Sequence, residues 1–154
     1  GVRVGRAVHH LRGELERLRD VVEQVAQGEV DAGRARNIIN ELTMRQNNWT
    51  LGAYCASYCR VVTGHHTLED RSVFPHLRHR DSRLAPVIDR LEQEHHVIHD
   101  VLEQVDHALV QMVSSERGTA VVREAVDLLR ATLLSHLSYE ERELVPALSR
   151  HGFG

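Results

Sequence analysis

Hydrophobic residues recur along this chain at steps of three and four, the spacing of one face of an α-helix. A first segment over residues 3–27 carries such a stripe. We expect Gly28 to end this helix and Asp31 to cap the next one. The apolar stripe of the first segment consists of Val4, Leu11, Leu15, Leu18, Val22 and Val25.

The second segment, Asp31 to His79, is too long for one simple helix in a domain of this size. The polar run Arg45–Asn48 contains residues that favour caps and turns. It therefore predicts a break or bend, with a short helix before it and the main second helix beginning at Trp49. The stripe of that main helix is Leu51, Cys55, Tyr58, Val62, His65, Glu69 and Val73.

Two further helices follow, separated by the predicted loops 80–86 and 114–118. The third helix has the stripe Leu84, Ile88, Leu91, His95, Ile98, Leu102, Val105, Leu109 and Met112. The fourth has the stripe Val122, Val126, Leu129, Leu133, His136, Glu140 and Leu144. Because short connections make neighbouring helices alternate in direction, we predict an all-α, antiparallel up-down-up-down four-helix bundle, a single domain over residues 1–154.

Polar residues interrupt these apolar stripes in a repeated pattern. Two stretches place a glutamate four residues after a histidine and a proline shortly after that: His65, Glu69 and Pro75, then His136, Glu140 and Pro146. On a helix this spacing puts imidazole and carboxylate on one face, one turn apart. Burying a carboxylate is costly unless it is paired or bound to metal, so the pattern indicates metal ligation.

Histidine is unusually frequent, at 12 of 154 residues. His95 lies within the third stripe, and His99 stands one turn further on, which makes a good chelating pair. His10 lies at the edge of the first stripe, about 90° from its centre, whereas His9 points nearly the opposite way. We therefore favour His10 as the ligand from the first helix, with His9 as the alternative.

The candidate ligands are five imidazoles and two carboxylates, too many for one ion. Two ions bridged by both carboxylates, with an added oxo or hydroxo bridge, would leave one position open for dioxygen or hydrogen peroxide. These donors suit iron, with manganese and zinc as alternatives. We expect two iron ions, ferrous or ferric, held by His10, His65, Glu69, His95, His99, His136 and Glu140.

The composition narrows the classes of partner that the chain is expected to bind. Charged residues make up 27% and hydrophobic residues 42%, as in ordinary globular proteins. A net charge of −3 offers no basic footprint for nucleic acid, and no apolar run approaches the roughly 18 residues of a membrane span. The only cysteines, Cys55 and Cys59, are expected to be reduced thiols in an apolar stretch, which fits a cytoplasmic protein.

The chain resembles the hemerythrin family, the haemerythrin-like (HHE) cation-binding domains of bacteria and mycobacteria. The matching residues span His10 to Leu148, in the motifs His65-His66-x-x-Glu69-Asp70 with Phe74-Pro75, Glu94-His95 with His99, and His136-x-x-x-Glu140-Glu141 with Pro146. The resemblance implies an antiparallel four-helix bundle holding a non-haem diiron centre. Oxygen carriers of the family place their last carboxylate, an aspartate, five residues after its histidine. Glu141 therefore stays an alternative to Glu140.

The resemblance also bears on Tyr58. A phenol near the open iron would donate a hydrogen bond to bound dioxygen or peroxide; the alternative is a core tyrosine whose hydroxyl is satisfied elsewhere. The functions considered are a carrier, sensor or scavenger of dioxygen or peroxide, a catalase-like or peroxidase-like enzyme, and a metal store or interaction module without oxygen chemistry. A sensor or a redox cycle would need a separate partner protein.

Overall fold

The computed structural model describes the backbone of residues 2–35, 38–114 and 119–150, and the side chains of residues 5–27, 49–112 and 119–150. Every regular element in these ranges is helical, as the stripes predict. Four helices are long: α1 (Val2–Ala35), α2 (Ile38–Leu68), α4 (Ala85–Ser114) and α5 (Ala120–Glu143). Shorter elements join or follow them: a π turn (Glu69–Val73), α3 (Phe74–Arg80), a 3₁₀ turn (Ser82–Leu84) and α6 (Val145–Arg150).

The four long helices surround one apolar core. α1 lies against α2 and α5, and α4 lies against α5 and α2. The predicted stripes face this core, and each buried valine or leucine side chain contributes about 1.5–3 kcal/mol to folding. None of the helices in the described ranges has a stretch long and apolar enough to cross a lipid bilayer.

Two predicted interruptions of the helices are wrong. α1 does not end at Gly28 but continues to Ala35. One glycine inside a helix costs only about 1 kcal/mol relative to alanine, too little to end a long helix by itself. The predicted break or bend at Arg45–Asn48 is also absent, because α2 is one helix from Ile38 to Leu68. Ordinary polar residues cost at most about 0.7 kcal/mol each in a helix, so four of them without proline do not break it.

A local widening of the helix follows α2. The N–H of Phe74 donates to the carbonyl of Glu69, five residues back instead of four. Pro75 lies in the first turn of α3, where it cannot donate a hydrogen bond and crowds the preceding turn. Because of the extra residue in this turn, the neighbours Val73 and Phe74 both face the core, 1% and 0% exposed. Such π turns often mark functional sites.

Candidate metal centre

Polar side chains from three of the long helices, and from the π turn, meet inside this apolar core. Glu69 is 1% exposed, His136 1% and Glu140 0%, values typical of leucine in the same core. His66 and His95 are each 6% exposed. The full set is His65 and His66 from α2, Glu69 from the π turn, His95 from α4, and His136 and Glu140 from α5.

The ligand atoms fall into two overlapping groups, each with its atoms within 4.8 Å of one another. One group is His66, Glu69, His95 and His136; the other is His65, Glu69 and Glu140. The Nε2 atoms of His65 and His95 both lie 3.4 Å from Oε1 of Glu69, so this carboxylate stands between the groups. Glu69 is therefore the shared member of two candidate cation sites.

The imidazole rings pack against one another. His66 and His95 are stacked, with ring centroids 3.8 Å apart and planes 12° from parallel. His136 lies edge-on to both, at centroid distances of 5.1 Å from His66 and 4.8 Å from His95. Phe74, placed inward by the π turn, stacks on His95 at 5.5 Å. This packing restricts rotation of the rings and holds their nitrogens in place.

Carboxylates outside the cluster orient two of the rings. Nδ1 of His95 lies 2.8 Å from Oδ1 of Asp70, and Nδ1 of His136 lies 2.9 Å from Oε1 of Glu94. Arg90 in turn donates to Glu94 at 3.2 Å. A carboxylate holds the proton on Nδ1, so the lone pair of Nε2 is left facing the cluster. Histidines that bind metal commonly have such a carboxylate partner on their other nitrogen.

The inward atoms of the cluster have no hydrogen-bond partner among the described residues. They are Nε2 of His65, His66, His95 and His136, and both carboxylate oxygens of Glu69 and Glu140. Leaving a buried polar group unsatisfied costs about 1–3 kcal/mol, and here many such atoms converge on one place. A cation bound among them would satisfy them together. The donor set, neutral imidazole with carboxylate, thus fits a transition-metal ion.

Burial also disfavours charge in the cluster. It lowers the pKa of His65 to about 4, with His95 and His136 as further causes, and it lowers the pKa of His66 as well. Burial raises the pKa of Glu69 and of Glu140 above the usual range for glutamate. His65 and His66 are thus held neutral, the form that binds metal. For the carboxylates, a nearby cation would offset the cost of ionisation.

The structure brings together five of the seven ligands predicted from the sequence: His65, Glu69, His95, His136 and Glu140. It also separates Glu140 from its alternative, Glu141. Oε2 of Glu141 lies 3.1 Å from the guanidinium of Arg12, at a partly exposed position. The spacing of four residues therefore leads inward in both copies of the motif.

His10 is not brought to the cluster, and neither is His9, since both side chains are exposed. The prediction that His10 faces the core used the apolar stripe of the first helix, in which Leu11 is the residue nearest to His10. The buried face of α1 also includes Val8, which is 0% exposed. Val8 shifts the centre of that face away from His10, which then lies about 110° from it.

His99 is also placed outside the cluster. Its side chain is 62% exposed and pairs with Glu103 at 3.2 Å. The prediction assumed that the buried face of the helix at His95 continues one turn further, to His99. The buried stripe of α4 instead continues through Ile98 and Val101, 0% and 4% exposed, because a straight helix drifts relative to a seven-residue repeat.

Tyr58 is buried, but its hydroxyl donates to the carbonyl of Leu11 at 3.0 Å. This is the alternative considered from the sequence, a core tyrosine satisfied elsewhere. The expected hydrogen bond from Tyr58 to a ligand at the open iron stays a prediction, since in this structure the phenol proton ties α2 to α1.

His66 joins the cluster, although no role was predicted for it from the sequence. A signal was available, since His66 follows the buried Val62 by four residues and precedes Glu69 by three, both steps along one helix face. The partners Asp70 and Glu94 were noted only as parts of motifs. They too could have been found, because each adjoins a candidate ligand on the chain or on the facing helix.

Comparison with known families agrees with this geometry. The model of the hemerythrin HHE cation binding domain matches residues 6–148. Neither the curated proteins nor the solved structures gave a match. The match covers all six members of the buried cluster and nearly the whole chain, and the chain therefore belongs to the hemerythrin HHE cation-binding family.

Proposed function

We propose that this chain is a non-haem diiron protein that binds dioxygen or hydrogen peroxide. The observation that carries the proposal is the pair of buried donor groups that share Glu69. Membership of a cation-binding family supports it independently. The alternating direction of the four helices, expected from the sequence, would be the arrangement that aligns these donors at one level.

The two groups would give the two iron ions different sets of ligands. His66, His95 and His136 with Glu69 supply three imidazoles and one carboxylate, while His65 with Glu69 and Glu140 supplies one imidazole and two carboxylates. Imidazole and carboxylate together suit iron. An iron pair supplies electrons and open coordination positions for a small oxygen ligand. The second group has fewer donors, so we assign the ligand to that side.

On the side of α1, the chain would exclude water from the cluster. Among the described side chains of α1, none belongs to either donor group. Arg12 of α1 contacts Glu141 of α5 at 3.1 Å, which sets α1 beside the cluster end of α5. At this level α1 presents Val8 and Leu11 to the core, 0% and 2% exposed. Apolar walls lower the local dielectric and strengthen the attraction between a cation and its carboxylates.

Metal analysis of the purified protein tests the first part of the proposal. We expect two iron ions per chain. His95→Ala should lose iron, whereas His99→Ala, one turn away on the same helix and 62% exposed, should keep it. Full iron content in His95→Ala, or loss of iron in His99→Ala, would refute the assignment of donors.

The response to oxygen tests the second part. The ferrous protein, prepared under argon, should change its near-ultraviolet and visible absorption in air. Recovery of the first spectrum under argon indicates a carrier, whereas oxygen release from added hydrogen peroxide indicates a catalase-like enzyme. Neither reaction consumes electrons overall, because release of dioxygen returns them to the iron pair and two molecules of hydrogen peroxide disproportionate to dioxygen and water. A scavenger that reduces peroxide to water without releasing oxygen would need a separate reductant protein. An iron-loaded protein inert to both ligands would contradict the proposal and leave a metal store.

A further inference from the structure

A polar cleft opens from the protein surface onto the cluster, between α2 and α4. These two helices pack against each other less extensively than α4 packs against α5. The cleft has a volume of about 160 Å³, and its walls include Thr63, Thr67, Asp70 and His99. His66 and His95, two of the candidate ligands, also line it. A larger surface groove of about 510 Å³, between α4 and α5, includes none of the cluster residues.

The inner end of the cleft carries unsatisfied nitrogen atoms. His66 and His95 are more than nine-tenths buried, and neither Nε2 has a hydrogen-bond partner in the part of the chain that the structure describes. The outer end carries exposed groups of types that can bind cations: Asp70, 43% exposed, and His99, which pairs with Glu103 beside the cleft. A cation could therefore move from exposed donors to buried ones within one cleft.

We propose that this cleft is the port through which ferrous iron reaches the buried cluster, with His99 and Glu103 as its first, transient ligands. The inference rests on metal binding by the cluster, as proposed above. A volume of about 160 Å³ holds about five water molecules, enough for a partly hydrated ion. Successive donors replace lost water ligands, and the acidic groups at the outer end attract cations.

A second cavity extends the cleft along the same seam. It has a volume of about 310 Å³ and shares Thr63, His99 and Leu102 with the first. Glu103 and Asp106 line it as well, opposed by Arg60. His99 stands where the two cavities join, so an ion that moves from the second cavity into the cleft passes it. This position gives the exposed histidine a role that the buried cluster does not.

The rate of metal loading tests the port. Metal-free protein is mixed with Co²⁺, or with Fe²⁺ under argon, and absorption is followed in a stopped-flow instrument. In His99→Ala/Glu103→Gln we expect loading to slow about tenfold at low salt and to depend less on ionic strength. Thr67→Trp, which fills the cleft from an exposed position, should slow loading at all salt concentrations.

The final metal content should be unchanged in these variants, because no altered residue belongs to the cluster. His107→Ala is the matched control: His107 is exposed on the same helix, contacts Gln111 at 3.1 Å, and lines neither cavity. Loading of the cleft variants at the wild-type rate would overturn the port alone. Reduced final content in the His99 variant would also overturn it, since His99 would then be a resident ligand. A wild-type protein that takes up no metal would overturn the proposed function itself.

Discussion

The two copies of the His-x-x-x-Glu motif share one spacing but differ in backbone. After Glu69 the helix widens into a π turn, whereas after Glu140 the N–H of Leu144 still donates to the carbonyl four residues back, at 2.8 Å. In the first copy, the residues that follow the histidine and the glutamate, His66 and Asp70, both serve the cluster. Their counterparts in the second copy do not.

Those counterparts are Leu137 and Glu141. Leu137 is 0% exposed in the apolar core, and Glu141 pairs with Arg12. The ring of His136 therefore takes its carboxylate partner from another helix, where Glu94 lies 2.9 Å from its Nδ1. The comparison shows that an equal spacing of ligands does not imply equal contributions. The first copy supplies three candidate donors and an orienting acid, and the second supplies two donors.

The largest difference should appear between the two glutamates. Glu69 belongs to both donor groups and Glu140 to one. Glu69→Gln should therefore abolish tight binding of both ions, whereas Glu140→Gln should leave the site formed by three imidazoles and Glu69 with one ion. Elemental analysis after dialysis against a weak chelator measures both. Equal stoichiometry in the two variants would remove the asymmetry on which this comparison depends.

The next comparison concerns the residue that follows each histidine. His66→Leu replaces a buried ring with an unsatisfied Nε2 by an apolar side chain, so the metal-free protein should gain about 1–3 kcal/mol of stability. Its further stabilisation by metal should fall, because the group of four donors loses an imidazole while the group of His65, Glu69 and Glu140 stays intact.

Leu137→Ala is the control for that variant. It leaves a cavity in the core and should cost about 2–5 kcal/mol with or without metal. Thermal unfolding with and without added metal separates the two patterns. A His66→Leu protein that is stabilised by metal as strongly as the wild type would show that His66 is a core residue like Leu137.

Substitution of the acidic residue that follows each glutamate should have a smaller effect on metal binding. Asp70→Ala removes the carboxylate that lies 2.8 Å from Nδ1 of His95. The ring is then free to turn, and the Nε2 atom becomes less basic and a poorer metal ligand. Loss of such a partner typically lowers metal affinity about 10–100-fold. Competition with a chelator of known affinity measures this at equilibrium, independently of the loading rate. Unchanged affinity would mean that ring stacking alone orients His95.

The sequence predicts most of the core, because apolar residues such as Leu15 and Leu133 recur at helical spacing. It also predicts the pairs His65–Glu69 and His136–Glu140, because both lie on one helix face. It does not predict the π turn, which depends on how Pro75 meets the preceding turn. The exposed positions of His10 and His99 have a related cause: small angular drifts over several turns decide whether a residue at the edge of a stripe faces inward.

The smallest effect is expected from Glu141→Ala, and it decides which residue of the second copy faces the cluster. The contact of Glu141 with Arg12 is partly exposed, at 38% and 33%, so solvent screens it and its loss should cost less than about 1 kcal/mol. Metal affinity should match that of the wild type, in contrast to Asp70→Ala at the corresponding position. If Glu141→Ala instead lost metal as Glu140→Gln does, the second motif would use the five-residue spacing of the oxygen carriers. The two copies would then differ in their ligand spacing as well as in their backbone.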